Sequence, residues 1–452
     1  MSIQVTVMKF GGTSVEDGRA FERVARIVLA HQRATPVVVV SAMSGVTDAL
    51  MTSLGMAAKG EISEAAQTVE GHLERHLKVT KGLGSDAGAR MQLLIEIVRR
   101  EILEVLYIAA RSRTTTAPQQ DMITSQGERL SANLLAMVLE EFGLPASYVD
   151  ARNCIITNAD HGSAKPLIRT TARRTRATLK PLLAARKIPV LGGFIGATLK
   201  GLTTTLGRGS SDYTATLVSA ALETREIQIW TDVNGVQTAD PSLVKSTRTV
   251  SHLSYTEAAE LARLGANVLH PKTIQPVLRE KTPIRICNSR APEQSGTLIC
   301  SLGKTSPHTV KAIAHQTNFA RIDIASARAS VANGFLHALK KVFNRHQRHM
   351  EIVALTKSGI SLACDEGLAL SSLVLDLQEI GAVRIRRHRA MISCVGEGLL
   401  SAPGSAQKVL NIASDIDSTL AWRSTSSINL MSMVRTDSVR SIVGRLHEEI
   451  FE

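Results

Sequence analysis

Ten residues from Thr203 to Asp212, TTTLGRGSSD, gather three threonines, two serines, an arginine between two glycines and an aspartate. Glycines let backbone N–H groups come close to a ligand, and hydroxyls donate hydrogen bonds. Arg208 can grip a carboxylate in a two-pronged pair, while Asp212 can accept a proton or face a metal. A solvated Gly/Ser-rich turn has the same composition. The chemical reading gains because similar polar clusters end other apolar runs. KFGGTS (Lys9 to Ser14) closes the run that begins at Gln4, SAMSGVTD (Ser41 to Asp48) follows four valines, and TDVNGV (Thr231 to Val236) follows Ile227 to Trp230. A strand, a glycine turn and a helix N-terminus make an anion site, to which Lys9 adds a full charge. The common P-loop pattern GxxxxGK[ST] is absent. Ser125 to Arg129 (SQGER) lies in helical text, where Gly127 suggests close approach to something. Taken alone, Glu128 reads first as an ordinary exposed helix residue.

The elements that must position these groups alternate strand, polar turn and helix through about residue 300. Buried strands are expected at Gln4 to Phe10, at the valines after Pro36, at Ala146 to Asp150, Ile188 to Gly193, Ile227 to Trp230 and Pro283 to Cys287. From Asp48 to about Gly143 the text is helical, broken at Thr115 to Gln120 and resuming near Met122. The pattern implies an α/β sandwich whose ligand lies at the carboxyl ends of its strands. After Ser301 the style changes to two βαββαβ-like units, which suit effector binding or dimerisation. The expected divisions are 1–303, 308–388 and 389–452.

Composition narrows the function classes. A chain of 452 residues exceeds one compact core. Aromatics at 3% give little material for stacking bases, and the basic residues are dispersed apart from Arg384 to Arg389, so specific nucleic-acid binding is not expected. The net charge of +13 favours anionic partners such as nucleotides. Five scattered cysteines without CxxC or zinc spacing read as reduced thiols, and no apolar span of membrane length appears, so a cytoplasmic protein without a membrane segment or a bound structural metal is expected.

With these motifs in hand, the chain resembles the aspartokinases along its whole length. KFGGTS, SAMSGVTD, SQGE, TTTLGRGSSD, WTDVNGV and GANVLHP occur in that family's order. The resemblance implies an amino-acid-kinase sandwich with a mainly parallel sheet, followed by two ferredoxin-like (ACT) units. It implies phosphorylation of the side-chain carboxylate of L-aspartate by ATP with Mg²⁺, at the head of lysine, threonine and methionine synthesis. It further implies a homodimer or tetramer joined through the ACT units and feedback by an amino acid such as lysine. By the same carry-over, Arg208 pairs with the α-carboxylate of aspartate, Glu128 holds its ammonium, and Ser41 and Thr47 line the pocket. Lys9 and Asp212 serve the transfer; Gly11, Gly12 and Ser211 face phosphates; Thr231 and Asp232 lie by the nucleotide. Gly334, Phe335, Leu336 and Glu351 fall at effector positions.

Four positions depart from the family pattern: Ser210, Gln237, Ser242 and Asn267, where lysine is usual. All four are expected on or beside the nucleotide side, with Lys200, Lys272 and Arg279 as substitute cations. At the effector, Leu355 and Thr356 replace the usual threonine and serine. A second reading follows, a catalytically weakened paralogue that acts as an amino-acid-binding regulatory subunit. A third is a kinase for a different acidic amino acid.

Overall fold

The computed structural model describes residues 5–207, 209–265, 269–301, 310–325, 332–348, 350–356, 359–367, 370–397, 399, 407, 409, 411–412, 421–423 and 428–452. The chain divides into two units, Met1–Val236 with Leu269–Leu302, and Gln237–Val268 with Gly303–Glu452. The first runs β1 (Thr6–Phe10), α1 (Gly18–Ala30), β2 (Pro36–Val40), α2 (Val46–Lys59), α3 (Ile62–Thr80), α4 (Ser85–Ser112), α5 (Ala117–Glu141), β3 (Ala146–Val149), β4 (Ile156–Thr157), α6 (Ile168–Ala184), β5 (Ile188–Gly192), β6 (Ile195–Thr198), β7 (Thr203–Thr205), α7 (Ser211–Leu222) and β8 (Glu226–Thr231). The chain gives β9 (His252–Ser254) and α8 (Tyr255–Arg263) to the second unit, then returns with α9 (Pro271–Ile274), β10 (Ile284–Asn288) and β11 (Thr297–Cys300). The second unit continues with β12 (Ala312–Ala325), α10 (Ala332–Arg345), β13 (Glu351–Thr356), β14 (Gly359–Asp365), α11 (Leu370–Gln378), β15 (Ala382–Val395), β16 (Ala421–Arg423), β17 (Asn429–Arg435) and a last helix, Val439–Phe451. Among the described residues no helix is long and apolar enough to cross a membrane.

Every residue of β1 and β2 is buried, as a strand flanked by parallel neighbours and covered on both faces must be. In the first unit the strands run β3-β5-β2-β1-β8-β10-β11, parallel except for β11. Parallel strands bring their carboxyl ends to one edge, so Lys9, Ser41 and Thr231 arrive there together although far apart in sequence. A small second sheet, β4-β6-β7, stands beside it in the topology. The start of the threonine-rich stretch is therefore strand: Thr203–Thr205 pairs antiparallel with β6.

Helix α5 begins earlier than its sequence suggests. Thr116 and Gln119 form a reciprocal capping box with Pro118 in the first turn, where a missing N–H costs nothing. Its body is buried almost throughout, Glu128 included, which excludes the exposed reading of that residue. Helix α6 escapes a search for apolar periodicity because its buried stripe is Thr171, Thr175, Leu179 and Leu183.

The second unit carries one antiparallel sheet, β13-β14-β12-β15-β17-β16. Ile322, Ile324 and Leu362 pack with Phe335, Leu339 and Leu373 in one core. Ile313, Ile392 and Val434 pack with Ile442 and Leu446 in another. The two helix-covered halves match the expected pair of ferredoxin-like units, yet β12 and β15 run through both. The division drawn at 388/389 falls inside β15, at a bulge where His388 has φ +56° and the register with β12 shifts. Residues 237–268 join this unit, so the division at 303 does not separate the two units in sequence. Most of the helix expected over residues 405–414, and the turn at Lys357 and Ser358, lie outside the described residues.

Candidate active site

Lys9 is the penultimate residue of β1, paired with Val39 on β2 and Ile229 on β8. Its backbone is thus fixed from both sides. Its Nζ lies 2.7 Å from Asp212 Oδ1, and the two side chains are only 11% and 15% exposed. Asp212 sits in the first turn of α7, whose free N–H groups add positive potential beside the lysine. Gly193 makes this approach feasible: a Cβ there would lie 2.5 Å from Ser211 Cβ and 2.7 Å from Ser211 Cα. Gly193→Ala is expected to displace the α7 first turn and lower stability by roughly 1–3 kcal/mol, read by denaturant titration. Unchanged stability would show that the contact is slack.

Glu128 approaches the same place from α5. Two glycines admit it: a Cβ on Gly127 would meet Ala42 Cβ at 2.7 Å, and one on Gly192 would meet Glu128 Cβ at 2.9 Å. Glu128 is 4% exposed, and its Oε2 has no hydrogen-bond partner among the described residues. Burial pushes its pKa from 4.5 up to about 8, against a smaller lowering by the backbone N–H of Ala42. An orphaned buried oxygen is costly unless a ligand completes it.

Lys9, Ser41, Thr47, Glu128, Ser211 and Asp212 line one cleft of about 510 Å³. Ser41 is held by its N–H donating to Phe10 O, 3.1 Å. Gly207 and Gly209 also border the cleft, with φ +90° and +68° that suit glycine. Arg208 between them lies outside the described residues. Gly11, Gly12, Thr231 and Asp232 are not in the cleft's lining. Gly11 already donates its N–H to Trp230 O, 3.1 Å, so that donor is not free for phosphate. Gly12 is a packing glycine, since a Cβ there would lie 2.9 Å from Ala42 O. The carbonyl of Thr231 accepts from Ser289 N and Oγ, and Ser289 Oγ also meets Ser14 Oγ at 2.8 Å. Asp121, Thr124 and Phe194 also line the cleft and were not singled out in sequence, whereas Thr205, which lines it too, lies within the polar stretch that was. Asp121, Thr124 and Glu128 stand at i, i+3 and i+7 on α5, a polar stripe on a buried helix that could have revealed Asp121.

Residues 4–288 match the amino acid kinase family. Over 461 aligned residues the chain is 30% identical to the lysine-sensitive aspartokinase 3 of Escherichia coli K12, spanning 99% of this chain and 100% of that protein. This chain belongs to the aspartokinases. The crystal structure of E. coli aspartokinase III with aspartate and ADP, in its R-state, superposes with a TM-score of 0.84 at 30% identity, covering 99% of this chain and 100% of that one. Its T-state complex with lysine and aspartate gives 0.81 at 31% identity over the same shares.

Against the aspartokinase pattern, the departures divide. Ser210 borders the cleft as the residue before α7. Gln237 and Ser242 belong to the second unit. Gln237 Nε2 donates to Thr249 Oγ1, and Ser242 N donates to Asp240 Oδ1. Asn267 lies outside the described residues. The effector positions divide as well. Phe335 is buried with Leu362 and Cys364, whereas Glu351 pairs across the sheet with Ala363. Strand alternation puts Ala363 on the opposite face from Leu362 and Cys364. Glu351 is therefore parted from Phe335 by the sheet and forms an ion pair with Arg263, 3.1 Å. Gly334 is exposed and Leu336 half-buried on α10.

Proposed function

We propose that this aspartokinase transfers the γ-phosphate of ATP to the side-chain carboxylate of L-aspartate, giving 4-phospho-L-aspartate and ADP. The observation that carries the reading is the orphaned Glu128 Oε2, buried in the same cleft as the Lys9–Asp212 pair. The carboxylate is complementary to an ammonium, and the lysine to a carboxylate or phosphate. In this assignment Glu128 holds the aspartate ammonium, Arg208 its α-carboxylate, and Ser41 and Thr47 orient the ligand. A carboxylate oxygen forms the new bond to Pγ as the bond from Pγ to the ADP oxygen breaks, and no proton moves. An ionised carboxylate needs no general base, so the protein's task is to bring two anions together. Lys9 screens their repulsion, and Asp212 holds the lysine in place. The first turn of α7, with Ser211, faces the transferring phosphate, and Thr231 and Asp232 lie by the nucleotide. Among the described residues no group of three or more His, Cys, Asp or Glu could hold a metal; Mg²⁺ bound to the phosphates supplies further neutralisation.

The proposed setting is the first step of lysine, threonine and methionine synthesis in the cytoplasm, in a homodimer or tetramer joined through the second unit. Lysine is the proposed feedback effector, supported by the lysine complex of the E. coli relative. The decisive experiment traps β-aspartyl phosphate as its hydroxamate over a wide range of Mg-ATP. Aspartate-dependent turnover is expected. Folded protein that binds aspartate but gives no turnover at saturating ATP would instead establish the regulatory-subunit reading, which the departures at Asn267, Ser242 and Gln237 motivate. Hydroxamate formed only with another acidic amino acid would reassign the substrate.

A further inference from the structure

Asp121 is the most heavily bonded buried carboxylate around the cleft, and the reaction makes no direct use of it. It stands in the first turns of α5, two turns before Glu128, and is 1% exposed. Three groups converge on it through four contacts. Thr205 Oγ1 donates to Oδ1 in a short hydrogen bond, His161 Nδ1 lies 2.7 Å from Oδ2, and the N–H of Gly162 meets both oxygens at 3.0 and 3.1 Å. These donors come from two different segments. Thr205 ends β7 and leads directly into Gly207, Gly209 and Ser210 of the cleft wall. Gly162 underlies that wall, since a Cβ on Gly207 would meet Gly162 O at 3.6 Å. The N–H of Ala164 donates to Thr205 O, 2.9 Å, closing the triangle.

From this arrangement we infer that Asp121 is the positioning residue that fixes the cleft wall of Gly207, Gly209 and Ser210 relative to Glu128, and so sets the enzyme's affinity for aspartate. The inference rests on the aspartate kinase reading. Glu128 and Asp121 share one rigid helix, so a carboxylate that clamps the wall at one turn sets its distance from the ammonium site two turns later. Two substrate-binding arms on independent segments lose preorganisation when their common anchor is removed. The second carboxylate on α5 thus acts through Thr205 and Gly162 rather than on the substrate.

The test uses the full chain and begins with Thr205→Val, which keeps the volume and deletes one donor, and Thr205→Ser, which restores it. Thr205→Val is expected to raise the KM for aspartate roughly ten- to hundredfold while the KM for ATP stays within about twofold, and Thr205→Ser is expected to recover the wild-type value. Asp121→Asn should raise the aspartate KM likewise, and the double variant should be no worse than the more affected single one. A fall in melting temperature with the aspartate KM unchanged would overturn the inference, as would equal rises in both KM values. Absence of turnover in the wild type would sink the kinase reading alone. Hydrogen exchange would then decide: faster exchange in the peptide carrying Gly207, Gly209 and Ser210 in both Thr205→Val and Asp121→Asn supports the anchor, and unchanged exchange removes it.

Discussion

Lys9→Met is expected to lower kcat for hydroxamate formation roughly 10²–10³-fold, the range found when one preorganised charge-stabilising donor is lost. The reason is local. Two anions must meet next to Lys9, and its Nζ is the cation placed 2.7 Å from Asp212. Methionine keeps the stem's packing and removes the charge. The same change leaves Asp212, 15% exposed, without its partner. Breaking a largely buried pair from one side destabilises by roughly 3 kcal/mol, so the melting temperature should fall together with activity. The two effects separate in the double variant Lys9→Met with Asp212→Asn. Neutralising the orphaned carboxylate should recover most of the lost stability and none of the lost rate. Recovery of both would mean that Lys9 serves the fold alone; near wild-type kcat in Lys9→Met would remove the lysine from the mechanism.

The parts of this site that were legible in sequence are those in which chemistry and backbone pattern coincide. Lys9 stands one residue before the end of a wholly buried strand and Ser41 directly follows another, so an apolar run followed by a polar turn marks them. The pairing of Lys9 with Asp212 is not local. It depends on the parallel order of β1 beside β2 and β8 and on Gly193 admitting α7, and only the family resemblance suggested it. Asp121 was missed because a buried carboxylate on a helix looks like a surface one until its donors, from residues 161, 162 and 205, are in view. Gly11 illustrates the opposite limit of pattern reading. A glycine turn after a strand suits phosphate, yet its N–H is consumed by the neighbouring strand at Trp230 O. In the second unit, the family resemblance assigns both Phe335 and Glu351 to effector positions, and strand alternation sends them to opposite faces of the sheet. The break read at 389 is likewise a bulge within one strand, since a glycine-free basic run gives no sign that β15 continues.

Glu128→Gln is expected to abolish measurable aspartate binding and at the same time to stabilise the unliganded protein above neutral pH. Both follow from one buried carboxyl group. Its pKa is raised from 4.5 to about 8, chiefly by burial, so the native state holds that proton more tightly than the unfolded chain does. The associated stability is fully present below about pH 4.5 and is lost as pH rises through about 8, amounting to roughly 3–5 kcal/mol for a fully buried group. Glutamine cannot ionise, so the variant should lack this decline, and its melting temperature should exceed that of the wild type at about pH 8.5. Aspartate supplies the missing counter-charge. Binding its ammonium requires the ionised carboxylate, so below about pH 8 binding must expel a proton from Glu128, and affinity should climb by up to about tenfold per pH unit from pH 6 towards 8. Calorimetry in buffers of different ionisation enthalpy would measure that released proton. Aspartate affinity that is flat over this range, with no proton released, would mean that the ammonium is held elsewhere. Unimpaired aspartate binding by Glu128→Gln would lead to the same conclusion by a separate route, because an amide retains the shape of the carboxylate and none of its charge.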